Sequence, residues 1–461
     1  MTDEIQQRLQ QVLHSQPSRR WLVGFSGGLD STVLLHALQS QVGGQAVMAV
    51  HVNHGLSANA DTWQAHCQAQ CQSLGVHWVV EKVQLTGSGA IEERARNARL
   101  AVFAKLMDPG DGLLLAHHRQ DQAETVLFRL LRGAGVTGLG AMRWSRPFAA
   151  GHIKRPLLGV DRAALQAYAE RHKLSWVEDE SNTDTTFDRN YLRRTILPAL
   201  RKRWPLADQN LALAAQHCQE ADLLLQELAQ LDLSTLAERQ EPMGVSVALE
   251  PLLGLSESRR RNLLRHWLRS RLGETVGAQL LADIQSQLLC GQNGHAQVGN
   301  KNLLLGCFQQ RLYALSAPLQ WQPSAQVAAP EPTIAWQQPE QVLLLPGGDY
   351  LQWVDAQADT SRALWGRALA RKHMGRNIVV DWRRGGERCR PAGRGHSQGL
   401  KKLLQEQPLP IWLRARVPLI YIDNELAAVG DLWVCEAFAA AADEPAANLK
   451  WEFPCVTLDA V

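Results

Sequence analysis

The chain reads as an α/β protein: a first domain with a mostly parallel sheet, then a mainly helical domain, then a small α+β C-terminal domain. Three observations predict this. Over the first two hundred residues short apolar runs alternate with longer amphipathic stretches, which implies crossover connections and a sheet covered on both faces. From about Leu211 to Leu315 the periodicity is mainly helical. A stretch rich in Pro, Gln and Ala, Ser316 to Glu340, then separates a compact basic remainder.

The elements follow in order. Trp21 to Phe25 is an apolar strand run, and Leu29 to Leu38 starts a helix straight after a glycine turn. Val47 to Val52 is a second strand, Asn59 to Leu74 a helix and Val76 to Val83 a third strand. Ile91 to Leu106 is helical, Gly112 to Ala116 a fourth strand, and Gln120 to Leu131 a helix. Asp161 to His172 adds a helix, and an acidic polar loop, Glu178 to Asp188, leads into Tyr191 to Leu200, closing a first domain over 1–210. In the second domain, 211–315, Asn210 stands as a helix cap, and Glu257 to Arg269 is a basic helix with Leu263, Leu264, Trp267 and Leu268 on its apolar side. Strand-like pieces lie around Val298 and Leu303 to Leu305. After the 316–340 linker comes a C-terminal domain over 341–438, then a tail, 439–461, expected to be disordered although Trp451 to Val456 has strand character. No internal repeat is evident.

A chain of 461 residues, 45% hydrophobic and 20% charged, is in the ordinary multidomain globular range, which excludes fibrous, wholly disordered and small disulfide-stapled classes. No apolar run reaches membrane-spanning length, and Asp3 and Glu4 stand where a secretory leader has positive charge, so a soluble cytoplasmic protein with no membrane partner is expected. The eight cysteines form no CxxC, and Cys67 and Cys71 fall on one side of a helix as small packing groups. Net charge is only +3, but thirteen Lys and Arg against Asp381, Glu387 and Glu406 crowd the span 366–416, a density that suits a polyanion. Trp353, Trp365, Trp382, Trp412 and Trp433 are near it, as stacking platforms for unpaired bases or as buried anchors. Nothing in the sequence decides between a monomer and a homodimer.

The sharpest motif is GFSGGLDST, Gly24 to Thr32. Gly27 and Gly28 permit a tight turn and a close approach to a ligand, and unpaired N–H groups at the start of the helix make an anion cradle to which Ser26 and Ser31 add hydroxyls. Asp30 beside phosphates is repulsive unless a cation intervenes, so it implies Mg²⁺. Chemistry is expected at the carboxyl ends of strands, at Ser26, His51 and Ala116 onward. His51, His54, His117 and His118 have no thiolate partners at metal spacing, so zinc is not favoured.

SGGLDS resembles the pyrophosphate loop of the ATP pyrophosphatase group, enzymes that cleave ATP between its alpha and beta phosphates; this implies an adenine nucleotide alpha hydrolase-like (PP-loop) first domain. HVNHGLSANA (His51 to Ala60), IEERARNARLAVF (Ile91 to Phe103) and AHHRQDQAETVLFRLLRGAGVTGLGAM (Ala116 to Met142) are similar to tRNA(Ile)-lysidine synthetases. So are RPLL (Arg155 to Leu158), the SN pair Ser181 and Asn182, RNYLRR (Arg189 to Arg194) and Arg383 to Ile420. The resemblance implies ATP-dependent ligation of L-lysine to the wobble cytidine of the tRNA(Ile) bearing a CAU anticodon. ATP adenylates the cytosine 2-oxo group, and the lysine side-chain amine then displaces AMP.

This implies a cofactor-binding set of Ser26, Gly27, Gly28, Leu29, Asp30, Ser31 and His51, with Asp30 and Asp121 as metal ligands. Lysine attack needs a neutral amine although its reference pKa is about 10.4. The resemblance carries catalytic importance onto Asp121 and Glu124, three apart on one helical face, and onto Arg193. Asp121 goes mainly to metal and Glu124 to the amine or metal. Arg94 and Arg189 in the first domain, with Arg383, Arg384, Arg388, Lys401 and Lys402 in the last, are the tRNA-binding candidates. His117 and His118 go to the reaction mouth. Gln120 stands where many relatives have a second Asp, which makes that position peripheral to the metal. A tRNA thiolase usually needs paired or persulfide-bearing cysteines, and no CxxC is present here, while a noncatalytic RNA-binding protein has no use for an intact SGGLDS with Asp121 and Glu124.

Overall fold

The computed structural model describes residues 4–15, 18–55, 57, 59–84, 91–178, 186–241, 244–273, 276–289, 296–300, 303–316, 333–355, 368–441 and 443–453. Ser181, Asn182, Cys290, Trp365, Arg367 and Cys455 lie outside them, as does most of the 316–340 stretch. The chain forms two compact units, 1–224 and 225–461.

In the first unit the elements are α1 (Glu4–Ser15), β1 (Trp21–Gly24), α2 (Leu29–Val42), β2 (Val47–Asn53), α3 (Ala60–Leu74), β3 (His77–Lys82), α4 (Ile91–Leu106), β4 (Gly112–Leu114), α5 (Arg119–Leu131), α6 (Val136–Leu139), β5 (Ser145–Phe148), β6 (Gly151–Lys154), α7 (Arg162–Arg171), α8 (Asp188–Tyr191), a π-helical turn (Leu192–Ile196), α9 (Leu197–Arg203) and the start of α10 (Ala207–Ser234). The sheet runs β3-β2-β1-β4-β6-β5, parallel throughout except for the β5–β6 hairpin. The expected strand and helix alternation therefore holds. Helix α1 and the hairpin are additions, and α1 had a readable signal: Ile5, Leu9 and Val12, one helical face, are its buried residues. Helix α10 starts at Ala207, so Asn210 lies inside it and caps nothing.

This order contains a topological switch. The chain moves outward from β1 through β2 to β3, then crosses back to place β4 on the other side of β1, so the loops after β1 and β4 border one crevice at the carboxyl edge. Val23 and Leu35 on one side, and Leu22, Val50 and Leu113 on the other, lie in apolar cores that cover both sheet faces.

Cys67 and Cys71 are buried in the first of these cores. Burial pushes both thiols up to about 12. Because the thiolate is the nucleophile, iodoacetamide at pH 8 is expected to leave both unmodified in the folded chain while half-buried Cys218 reacts, as peptide mass mapping would read.

The second unit comprises the end of α10, then β7 (Arg239–Glu241), β8 (Gly244–Ala248), α11 (Leu249–Gly254), α12 (Glu257–Leu272), α13 (Ala278–Asp283), β9 (Gln297–Gly299), β10 (Leu303–Phe308) and β11 (Arg311–Ser316). The helices of this block pack with an antiparallel sheet, β7-β8-β11-β10-β9, larger than the two strand pieces foreseen. There follow β12 (Ile334–Ala335), β13 (Leu343–Leu344), β14 (Tyr350–Asp355), β15 (Leu369–Ala370), β16 (Ile378–Asp381), β17 (Arg388–Cys389), β18 (Gln398–Gly399), α14 (Leu400–Glu406), α15 (Ile411–Arg414), β19 (Leu419–Ile422), β20 (Glu425–Val429), β21 (Trp433–Val434) and β22 (Ala446–Glu452).

Two expectations are corrected here. Residues 446–452 are no disordered tail: β22 lies between β14 and β15, with Ala447, Leu449 and Trp451 buried in alternation. The 316–340 linker ends early, because β12 pairs with β16 and Trp336 is buried. Trp353, Trp382, Trp412 and Trp433 are all buried, so they are anchors and not open platforms for bases.

Candidate functional site

The glycine turn links β1 to α2. Gly27 has φ +82°, and a Cβ there would lie 2.6 Å from Cys67 Sγ, so conformation and packing both demand glycine. Gly28 is different: its φ of −74° suits any residue, and the nearest atom to an added Cβ is Ser26 Oγ at 3.5 Å. Nothing among the described residues requires glycine at 28, which leaves close approach of a ligand as its physical reason. The first helical hydrogen bond runs from Thr32 N to Gly28 O, so the amides of Leu29, Asp30 and Ser31 precede the helical ladder. Ser31 Oγ donates to Gly28 O at 3.0 Å and lies 3.1 Å from Ser26 Oγ, which ties the loop. The Leu29 side chain is buried in the core, so this residue offers only its backbone. Gly27→Ala is expected to lower thermal stability, whereas Gly28→Ala keeps it and weakens ATP binding; melting curves and nucleotide titration separate the two.

His51, at the carboxyl end of β2, is buried, with Nδ1 3.0 Å from Phe25 O and its ring 5.6 Å from that of Trp78. Burial lowers its pKa, so the ring is neutral, and through Phe25 O it ties β2 to the residue after β1.

Helix α5 positions the carboxylates. His118 caps it: Nδ1 accepts the Gln120 N–H at 3.1 Å, while the His118 N–H donates to Asp121 Oδ2 at 3.0 Å. Nδ1 being the acceptor, Nε2 carries the proton, and it stands 3.6 Å from both Asp30 Oδ2 and Asp121 Oδ2. The loop after β1 and the helix after β4 thus bring Asp30 and Asp121 to one ring nitrogen. Gln120 takes part through its backbone. Arg193, on the π-helical turn, donates to Glu124 Oε1 at 2.7 Å, to Glu124 Oε2 at 2.8 Å and to Asp121 Oδ1 at 3.3 Å. Such a bidentate fork fixes the carboxylate plane.

Burial raises the pKa of Asp30, against the pull of His118. Burial likewise raises Glu124, against Arg193. Burial would raise Asp121 too, but His118, His117, the His118 N–H and Arg193 outweigh it and hold the group below its usual range. Arg193 is held cationic chiefly by its hydrogen bonds to Glu124. Asp30 Oδ1 is buried with no hydrogen-bond partner among the described residues. A desolvated carboxylate oxygen left unsatisfied in a phosphate-type cradle fits a divalent cation bound with its substrate.

One feature was missed by the sequence reading. Arg99, Arg129, Arg146 and Arg155 are each lowered chiefly by burial and then by neighbouring guanidiniums, Arg96 acting on all four: burial, then Arg96 and Arg189, lower Arg129, and burial, then Arg146 and Arg96, push Arg155 down to about 10. Buried Arg155, from the RPLL motif, donates to His117 Nδ1 at 3.3 Å and to Arg143 O at 2.8 Å. Arg189 is half-buried, its guanidinium 5.6 Å from the Phe128 ring, and Arg94 is half-buried on α4. Arg189 was already a tRNA-binding candidate and Arg96 and Arg99 lie in the IEERARNARLAVF stretch, but Arg129 of α5, Arg146 of β5 and Arg155 after β6 come singly from elsewhere, so no linear run announced the set as a whole.

In the C-terminal region Arg384, Arg388, Lys401 and Lys402 are exposed and Arg383 half-buried. Arg384 pairs with Asp381 at 3.0 Å and Arg394 with Glu406 at 2.7 Å. Arg416 is no surface cation: it is buried, 3.2 Å from Asp349. The surface charge is therefore smaller than the linear count.

A glycine-turn cradle beside two carboxylates at a topological switch defines a nucleotide-binding α/β enzyme domain, and residues 1–200 match the family model of the PP-loop domain. Residues 248–313 match the TilS substrate binding domain and 378–451 the TilS substrate C-terminal domain. The chain is 44% identical to the tRNA(Ile)-lysidine synthase of Pseudomonas aeruginosa, covering 89% of each chain. It is 40% identical to that of Xanthomonas campestris over 95% of this chain and 97% of the relative. With that of Legionella pneumophila it shares 38% over 91% and 93%. The chain belongs to the tRNA(Ile)-lysidine synthase family. No helix among the described residues is long and apolar enough to cross a membrane.

Proposed function

We propose that this chain is a cytoplasmic ligase that joins free L-lysine to the wobble cytidine of the CAU-anticodon tRNA(Ile), using ATP and releasing AMP and pyrophosphate. The observation that carries this reading is the meeting of Asp30 and Asp121 at His118 Nε2, beside the open amides of the glycine turn.

In the first step the Leu29, Asp30 and Ser31 amides and the Ser26 hydroxyl hold the departing pyrophosphate, while the Ser31 hydroxyl, donating to Gly28 O, holds the loop in shape. Asp30 and Asp121 would hold Mg²⁺, which when bound supplies positive charge against the leaving phosphates. In the second step Glu124, its plane set by Arg193, orients the lysine amine and accepts a proton as nitrogen bonds to the cytosine carbon and the bond from that carbon to the oxygen carried by AMP breaks. The arginines of α4, α5, the hairpin and α8 take the phosphates flanking the splayed cytidine, since a set of mutually repelling guanidiniums is relieved by a polyanion.

Incubation with ATP, Mg²⁺, labelled lysine and unmodified tRNA(Ile), followed by nucleoside analysis, tests the reading. Label in lysidine at the anticodon cytidine is expected, and label at any other nucleoside overturns the substrate.

The exposed C-terminal cations are proposed to grip a helical part of the tRNA. Lys401→Glu with Lys402→Glu is expected to weaken tRNA binding and to reduce the salt slope by about one for each phosphate no longer neutralised, with ATP binding unchanged. Filter binding over a range of salt reads both. This pair is a better probe than removal of 341–461, because Trp412 packs over Gly306 of β10 and its loss would uncover that sheet.

A further inference from the structure

A cavity of about 320 Å³ opens within the second unit, far along the chain from the glycine turn and used by no step of the proposed reaction. Its walls include Phe308, Tyr313, Trp412 and Phe453, and two carboxylates, Glu241 and Asp431, border it. Among the described residues no Lys or Arg lines it.

The rings decide what chemistry suits it. Phe308, Tyr313 and Trp412 have centroids 5.4 to 6.5 Å apart, with planes inclined by 60° (Phe308 and Tyr313), 75° (Phe308 and Trp412) and 59° (Tyr313 and Trp412). A flat nucleobase seeks parallel faces on either side, whereas steeply inclined rings present electron-rich faces in several directions, the arrangement that suits a compact cation. This wall is built into the sequence: a Cβ on Gly306 would lie 2.5 Å from Trp412 Cζ3, so β10 carries glycine where the indole seats.

Glu241 supplies the charge. Its Oε1 accepts from Ser246 Oγ at 2.6 Å, while Arg311 Nε stays 3.9 Å away and donates instead to Ser246 Oγ at 2.8 Å. The Arg311 Nη2 donates to Ala237 O at 2.7 Å. The carboxylate is thus only loosely answered by its nearest cation.

We propose that this cavity binds a small organic cation bearing an ammonium or quaternary ammonium head, seated on the three inclined rings and facing Glu241. Its size, at the lower end for ligand pockets, limits the occupant to a small molecule. The ligand bridges β7 and the β10–β11 hairpin to the segment carrying α15, so its binding couples the central block to the basic C-terminal part.

Calorimetric titration of the full chain with choline, with its neutral carbon isostere dimethylbutanol and with adenosine tests this. Choline is expected to bind at one site, and dimethylbutanol at least about tenfold more weakly. Glu241→Gln, which keeps the acceptor for Ser246, and Tyr313→Leu are each expected to weaken choline by about tenfold, with far-ultraviolet circular dichroism unchanged. Should Tyr313→Leu fail to fold, Glu241→Gln alone still decides. The proposal is overturned by absence of choline binding, by equal affinity for dimethylbutanol, by choline affinity unchanged in Glu241→Gln, or by adenosine binding where choline does not.

Discussion

Asp30→Ala and Asp121→Ala are each expected to cut tRNA-dependent AMP formation by about 10²–10³-fold or more, the scale at which removal of one preorganised electrostatic group is felt. The two differ in their structural consequences. Asp30 is half-buried, its pKa raised mainly by that burial, and its buried Oδ1 has no partner among the described residues. Such a group costs the folded state stability, so Asp30→Ala is expected to melt no lower than the unaltered chain and somewhat higher. Asp121 is also a capping group: its Oδ2 accepts the His118 N–H, and its Oδ1 accepts from Arg193. Asp121→Ala therefore sacrifices helix-start stability as well, about 0.5–2 kcal/mol on the usual scale of caps. Asp121→Asn keeps an acceptor for His118 and separates the roles, because it restores the cap without restoring the charge. Pyrophosphate release and thermal melts on the three variants give the test. AMP formation at the unaltered rate by Asp30→Ala would remove the carboxylate from the chemistry. A melt for Asp30→Ala well below the unaltered chain would refute the view that its burial is a cost borne for function.

What was legible in the sequence follows from how each feature is encoded. Strands buried on both faces appear as unbroken apolar runs, and Trp21 to Phe25 and Val47 to Val52 accordingly emerged within a residue or two of β1 and β2. The glycine turn is local and was read with it, as were Asp121 and Glu124 on one helical face. Three things were written non-locally. The link between Asp30 and Asp121 runs through His118, whose part depends on which ring nitrogen caps α5. The arginine set gathers Arg96 and Arg99 of α4 with Arg129 of α5, Arg146 of β5, Arg155 just after β6 and Arg189 of α8, residues far apart in the chain. Of the middle sheet, pieces of β9 and β10 were legible around Val298 and Leu303 to Leu305, while β7, with three residues, is too short to show an alternation, and β8 and β11 were not read. The basic count misled in the opposite direction: Arg416 looks like its exposed neighbours in sequence, yet it belongs to the core.

Arg416 is also the site of the largest expected loss of stability. It is 1% exposed and Asp349 is 2% exposed, with Arg416 Nη2 3.2 Å from Asp349 Oδ1. Trp451 Nε1 donates to Asp349 Oδ2 at 2.6 Å, so one carboxylate ties the turn before β14, the segment before β19 and β22 near the end of the described chain. Burial lowers the Arg416 pKa, and Asp349 opposes that shift. Nε and Nη1 of the same guanidinium are buried without partners among the described residues, so the cation is already poorly solvated. Asp349→Ala takes away its counter-charge and the acceptor of the Trp451 indole together. A cost of about 3–5 kcal/mol is expected, as for other buried ion pairs stripped of one member. Arg416→Met should cost less, since Asp349 keeps the indole N–H and two unsatisfied donors vanish with the guanidinium. Urea unfolding of the two variants orders these effects, and equal losses would mean that the arginine's unpaired nitrogens carry no penalty. A milder Asp349→Ala, below about 1 kcal/mol, would place the pair on a solvated surface where such bridges contribute little.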